Sequence, residues 1–184
     1  MARMIAERSD VVPQLGEVFR TYGYEGASLA RITEGTGLGK GSIYHFFPGG
    51  KEEMAQAVLD DIDVWFRDQV FLPLRQCGVA ADGVAAMLAA VGRYFLSGQR
   101  VCLVGVFALG HERDRFAVRV RDYFDEWIAT LAGALERGGQ DAAVARDLAE
   151  EAVGAIQGAL VLARAADQPA LFMRALERLR GRLA

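Results

Sequence analysis

Several residue types that build functional sites are scarce in this 184-residue chain. Its 2 cysteines, Cys77 and Cys102, are too few and too far apart for a disulfide framework or a thiolate metal site. Nothing at the N-terminus has the pattern of a signal peptide, so a reducing, cytoplasmic setting is expected. The 2 histidines, His45 and His111, give one nucleophilic combination, Cys102 with His111 nine residues on. That pairing reads as a buried small thiol and a surface histidine, so no catalytic residues, metal or cofactor are expected. The longest apolar region, residues 84–109, is interrupted by Arg93, Gln99 and Arg100 and falls short of the ~20 residues a bilayer requires. Strand-like alternation, internal repeats and low-complexity tracts are missing, and only 4 prolines interrupt the chain.

What remains is rich in Ala, Leu, Glu and Arg, 52% hydrophobic, with a mean hydropathy of +0.14. That composition implies an all-α protein with extensive burial. The net charge of −3 is unusual for a nucleic-acid binder. Residues 1–50 carry five bases (Arg3, Arg8, Arg20, Arg31, Lys40) against five acids (Glu7, Asp10, Glu17, Glu25, Glu34). Any cationic face there comes from placement and not from excess charge.

The most structured stretch runs from Ser28 to Phe47. Leu29 and Ile32 form an apolar stripe behind a capping Ser28, Gly37 supplies a turn, and Leu38 fills the corner. Ile43, Phe46 and Phe47 then recur at i, i+3, i+4 and turn inward. The pattern predicts a helix-turn-helix with Lys40, Ser42, Tyr44 and His45 facing out. Before it, Ser9 or Asp10 is expected to cap a helix reaching about Tyr22, with Val12, Leu15, Val18 and Phe19 buried. After it, Pro48, Gly49 and Gly50 stop the second helix. A long helix is expected from Lys51 to about Gln76, bent at Pro73. Further helices are expected over 84–97 (cap Asp82), 101–109, 114–137, 141–165 (cap Asp141) and from Pro169 onward, about nine in all. The chain divides into residues 1–50 and 51–184.

The N-terminal motifs resemble the tetracycline-repressor (TetR) family of transcriptional regulators. The resemblance rests on Phe19-x-x-x-Gly23-Tyr24, Ser28-Leu29, Ile32, Gly37-Leu38, the run Gly41 to Phe47, and Lys51 to Met54. The stretch His45 to Lys51 is similar to the LmrA/YxaF-like branch, and residues 101–105 are a weaker echo. Thr33 and Thr36 stand where the family usually has alanine and so require local backbone partners.

The resemblance implies a DNA-binding domain and a helical effector-binding and dimerisation domain. It also implies a homodimer on a pseudo-palindromic double-stranded operator, released by a small apolar or aromatic effector. DNA contacts are expected from Ser28, Gly39, Lys40, Gly41, Ser42, Tyr44, His45 and Lys51. Tyr44 and Lys51 would position phosphates, and Lys40, Ser42 and His45 would meet base edges. Trp65, Met87, Tyr94, Phe107, Tyr123 and Trp127 are expected to surround the effector. The small face of the eighth helix and part of the ninth (Ala152, Ala155, Ile156, Ala159, Ala163, Leu176, Leu179) is expected at the dimer interface. The rival reading is a DNA-binding regulator with no small-molecule effector, controlled by a protein partner or acting as an activator, which a filled second-domain core would favour.

Overall fold

A computed structural model describes residues 7–183; Arg3 and the other residues before Glu7 lie outside it. The described residues fold into helices without strands. Helix α1 (Arg8–Gly26) begins two or three residues earlier than a cap at Ser9 or Asp10 would place it. Glu7 is its cap residue, and Asp10, in the third helical position, accepts the Glu7 N–H at 2.9 Å. Val11, Val12, Leu15, Val18 and Phe19 are buried along one side.

Helix α2 (Leu29–Thr36) starts with the Ser28 hydroxyl accepting the Arg31 N–H at 3.4 Å. It ends at Gly37, whose φ of +66° is a left-handed turn that other residues adopt at a cost. The Thr33 and Thr36 hydroxyls donate to the Ala30 and Ile32 carbonyls at 2.9 and 2.7 Å. The two departures from alanine are thus satisfied within the helix. Helix α3 (Lys40–Phe46) follows, with Ile43 and, just past its end, Phe47 fully buried. At Gly35 the helices touch: an added Cβ would stand 2.4 Å from Val18 Cγ2, so glycine sets how closely α2 lies on α1.

Helix α4 (Gly50–Phe66) runs without a break through a π-helical turn (Arg67–Phe71) into α5 (Leu72–Gln76). The Leu72 N–H bonds the Arg67 carbonyl, one residue wider than α-helical register. This is the long helix expected over 51–76, but the irregularity lies in a wide turn ahead of Pro73. Helix α6 (Ala80–Tyr94) starts four residues before Val84. Ala80 and Ala81 are good helix formers, so Asp82 falls inside the first turn instead of capping it.

Helix α7 (Leu103–Leu109) leads through a 3₁₀ turn (His111–Asp114) to α8 (Ala117–Arg137), α9 (Ala142–Ala165) and α10 (Ala170–Leu183). Asp141 caps α9 as expected, accepting the Ala143 N–H at 2.9 Å. With α4 and α5 counted as one rod, nine helical rods form the described chain.

Helix α9 packs against α8 and α10, and α10 also packs on α6. Helix α1 rests on both α4 and α7, so buried side chains run continuously across the expected boundary at 50/51. At the centre of the larger part sits Phe66, its ring 5.0 Å from those of Tyr94 and Tyr123 and 5.1 Å from Trp127. Burying such rings supplies roughly 25 cal/mol per Å² of apolar surface removed from water, the main favourable contribution to the fold.

Candidate nucleic-acid interface and effector cavity

Lys40, Gly41, Ser42, Tyr44 and His45 share an exposed surface on α3, and Gly39 precedes them as its cap. At Gly39 and Gly41 no atom lies within 4 Å of where a Cβ would stand, so a duplex can approach the backbone closely there. The Lys40 ammonium lies 6.0 Å from the Tyr44 ring and has no carboxylate partner among the described residues.

Other cations of the expected DNA reader, residues 1–50, and of the start of α4 are already engaged. Arg8 pairs with Glu53 at 3.0 Å and Arg20 with Glu17 at 3.0 Å. Lys51 lies 4.5 Å from the Tyr24 ring and 3.7 Å from the Glu25 carboxylate, and donates weakly to the Glu25 carbonyl at 3.5 Å. In this arrangement Lys51 ties the start of α4 to the end of α1. Arg31 was not singled out by sequence spacing, yet it is exposed and lacks a carboxylate partner among the described residues. It donates to the Gly26 carbonyl at 2.7 Å and stacks over Tyr22 at 4.2 Å.

The reader is joined to the larger part by rings and by arginines. Phe107 of α7 meets Phe19 and Tyr24 of α1 edge-on at 6.1 and 6.2 Å, and stacks on Phe116 at 5.1 Å. Arg20 donates to the Tyr94 hydroxyl at 3.0 Å, and Arg100 pairs with Glu17 at 2.9 Å.

The six residues expected around an effector are brought together in part, but by packing. Met87, Phe107 and Trp127 are wholly buried, and Trp127 Nε1 lies 3.5 Å from Met87 Sδ. Trp65 and Tyr94 rings pack at 4.5 Å, and Tyr123 lies 5.9 Å from Trp127. Phe107 belongs to the separate cluster against α1. None of the six borders the large apolar cavity. Tyr123 borders instead a polar cleft with Asp60, Asp63, Arg119, Asp122 and Glu126.

The apolar cavity, of about 520 Å³, opens between α7, α8 and α9. Val106 and Leu109 of α7, Phe124 of α8, and Leu160 and Val161 of α9 form most of its wall. No acidic residue lines it. Residues 101–105, the weaker sequence echo of the family, form its floor through Val101, Cys102 and Gly105. Burial pushes both the Cys102 thiol and the Tyr123 phenol up, which keeps both neutral at physiological pH and leaves Cys102 a poor nucleophile.

The expected dimer face requires correction. Ala152, Ile156, Ala159, Ala163, Leu176 and Leu179 are buried inside the chain, where small α9 side chains admit α8 and α10 closely. Of the seven, Ala155 alone is exposed. It belongs to a different strip of α9, with Gly154, Gly158, Leu162 and Ala165, all exposed; Leu162 is 61% accessible.

An exposed helix-turn-helix carried on a larger helical body defines a DNA-binding transcriptional regulator. Residues 17–58 match the family described as bacterial regulatory proteins, tetR family, and residues 74–178 match transcriptional regulator LmrA/YxaF-like, C-terminal domain. The chain therefore belongs to the LmrA/YxaF-like regulators of the TetR family.

The HTH-type transcriptional regulator LmrA of Bacillus subtilis (strain 168) is 24% identical over 159 residues, which span 84% of this chain and 85% of LmrA. A TetR transcriptional regulator from Chloroflexus aurantiacus superposes with a TM-score of 0.75 at 27% identity, covering 95% of this chain and 92% of its own. The TetR family regulator CifR, as a cysteine mutant complexed with 26-bp double-strand operator DNA, gives a TM-score of 0.69 at 27% identity, with 96% and 98% covered. These relatives, like the family itself, are transcriptional regulators. Among the described residues no helix is long and apolar enough to cross a membrane.

Proposed function

We propose that the protein is a repressor that binds a pseudo-palindromic operator as a homodimer and is released by a small, mostly apolar effector. The observation that carries this reading is the 520 Å³ apolar cavity against α7, the helix whose Phe107 packs on Phe19 and Tyr24 of the reader. The volume falls in the range of drug-sized ligand sites. A ligand wedged between α7 and α9 shifts Phe107, and with it α1, which carries α2 and α3.

Residues 1–50 read DNA, with Lys40, Ser42 and His45 at base edges and Tyr44 at phosphate. Arg31 is added to the phosphate contacts, and Lys51 acts chiefly as a strut. Residues 51–184 hold the ligand and the partner subunit. The exposed strip Gly154, Ala155, Gly158, Leu162 and Ala165 forms the subunit contact next to the cavity, whose edge Gly158 and Ala165 also line, and its small residues allow two α9 helices to approach closely. Two readers one helical turn apart, about 34–36 Å, would then match an operator with two-fold symmetry.

A regulator without an effector is favoured by one observation, the solid packing of Met87, Trp65, Tyr94 and Trp127. The test separates the two. Bound sequences are first selected from a random DNA pool, and operator affinity is then titrated against planar aromatic and lipophilic compounds. The expected result is a compound that weakens operator binding in the native protein and has no effect in Ala108→Trp, whose indole fills the cavity. Tight binders that all leave operator affinity unchanged would overturn the effector reading.

A further inference from the structure

The apolar cavity carries two polar fixtures, and both stand on α9. Gln157 lines it with an amide nitrogen, Nε2, that is shielded from water and has no hydrogen-bond partner among the described residues. Leaving such a donor unpaired is costly, because its lost hydration is not replaced. Arg164 lines the cavity too, is exposed, and has neither ion pair nor hydrogen bond among the described residues. The two are seven residues apart, two helical turns, which places them on the same side of α9 with a rise of ~10 Å between them. Leu160 and Val161 lie between them as apolar wall.

The remaining wall narrows the chemistry further. With no carboxylate in the lining, nothing there would neutralise a cationic ligand, whereas Arg164 attracts an anion to the opening. Cys102 contributes no charge, because burial keeps its thiol protonated, and its Sγ already accepts the Gly105 N–H at 3.3 Å.

From this arrangement we infer that the cavity takes a lipophilic acid. Its apolar body lies against Val106, Leu109, Phe124 and Val161, an oxygen acceptor such as a ketone receives the Gln157 Nε2 hydrogen, and its anionic group meets Arg164. The inference rests on the proposal that this cavity is the effector site, and it specifies the class of effector.

Three related probes test it on the full-length protein: 4-benzoylbenzoate, 4-benzylbenzoate, in which a methylene replaces the ketone, and methyl 4-benzoylbenzoate, which lacks the charge. Calorimetric titration should show the ketone acid binding about five- to tenfold more tightly than either relative, the range one hydrogen bond or one screened ion pair supplies. Gln157→Leu should abolish the ketone preference and leave the acid preference. Gln157→Met, of nearly the same length and shape and without a donor, should do likewise, so that a packing effect of leucine is separated from loss of the donor. Arg164→Gln should abolish the acid preference alone. The inference is overturned if no probe binds at millimolar concentration, or if both preferences survive these substitutions. If both preferences appear and depend on Gln157 and Arg164 while operator affinity ignores the ligand, the ligand chemistry stands and the effector reading fails.

Discussion

The Arg20 guanidinium on α1 donates to the Tyr94 hydroxyl on α6 at 3.0 Å, spanning 74 positions of sequence to join the reader to the body behind it. The Arg20 side chain is only 8% accessible, and burial raises the Tyr94 phenol to about 12, so it stays a neutral partner throughout the physiological range.

Tyr94→Phe removes that acceptor and leaves the Arg20 cation with Glu17 and the ring face. A loss of about 1–3 kcal/mol of stability is expected, since a charged donor loses a partner where water cannot replace it. Chemical denaturation of the variant checks this. An unchanged midpoint would show that the contact is not retained in solution.

Two glycines of the reader should respond oppositely to alanine. At Gly35 the new methyl group collides with Val18, so Gly35→Ala should lower stability by about 1–3 kcal/mol and weaken DNA binding through a displaced α2. Gly41 faces open space within α3, and Gly41→Ala should raise stability by about 0.5–1 kcal/mol through helix propensity alone. Thermal melts rank them. If Gly41→Ala nevertheless weakens DNA binding, the duplex approaches the backbone at that point.

Lys40→Ala should alter preference among operator sequences, and Tyr44→Phe should weaken all of them about equally. Because Arg8, Arg20 and Lys51 are already paired, affinity should fall with salt only as a few phosphate contacts per dimer require, a log–log slope of roughly −0.9 for each. Lys51→Ala should lower the melting temperature and leave that slope nearly unchanged. A reduced slope would restore Lys51 to the phosphate backbone. Gel-shift titrations at several salt concentrations decide it.

At the subunit contact, Leu162→Arg places a charge on an exposed site of α9 and should yield a folded monomer. Ala159→Arg forces a guanidinium between helices of one chain and should unfold it, at a cost of several kcal/mol. Sedimentation with circular dichroism separates the outcomes. A dimeric Leu162→Arg would move the contact off this strip.

The alkaline limit of stability follows from three raised groups. Cys102, Tyr94 and Tyr123 are all pushed above their ordinary values of 9.0 and 10.0 by burial, so the fold favours their neutral forms. Their contribution is complete below those ordinary values and is lost as pH climbs through the raised ones. Melting temperature should hold between pH 7 and about 8.5 and fall beyond about pH 9. Cys102→Ala should flatten the first part of the fall.

Local features were the most legible in the sequence. The reader was readable because capping, a glycine turn and i, i+3, i+4 spacing act within a few residues of each other, and Ser28, Gly37, Ile43 and Asp141 do what their types suggest. The long-range assignments were not equally readable. A face of Ala152, Ile156, Ala159 and Ala163 announces a close helix neighbour without saying whether it belongs to the same chain; here α8 and α10 take that place. Rings at helical spacing read alike whether they fill a space or surround one. A cavity exists where side chains fall short of each other, between α7 and α9, so no residue pattern marks it directly. Gln157 gave no signal because its meaning lies in a missing partner.

The wide turn at Arg67–Phe71 has a consequence for the protein's tolerance of change. It holds one residue more than α-helical register needs, so losing an exposed residue there, such as Gln69, would turn it into an ordinary turn. Both flanking stretches would keep their inward faces, Met54 to Phe66 on one side and Leu74 on the other. Along the rest of α4 a single deletion would rotate everything downstream by ~100° and expose Phe66 to water. Within its longest rod, the protein thus carries a place where one residue can be lost without turning the faces on either side.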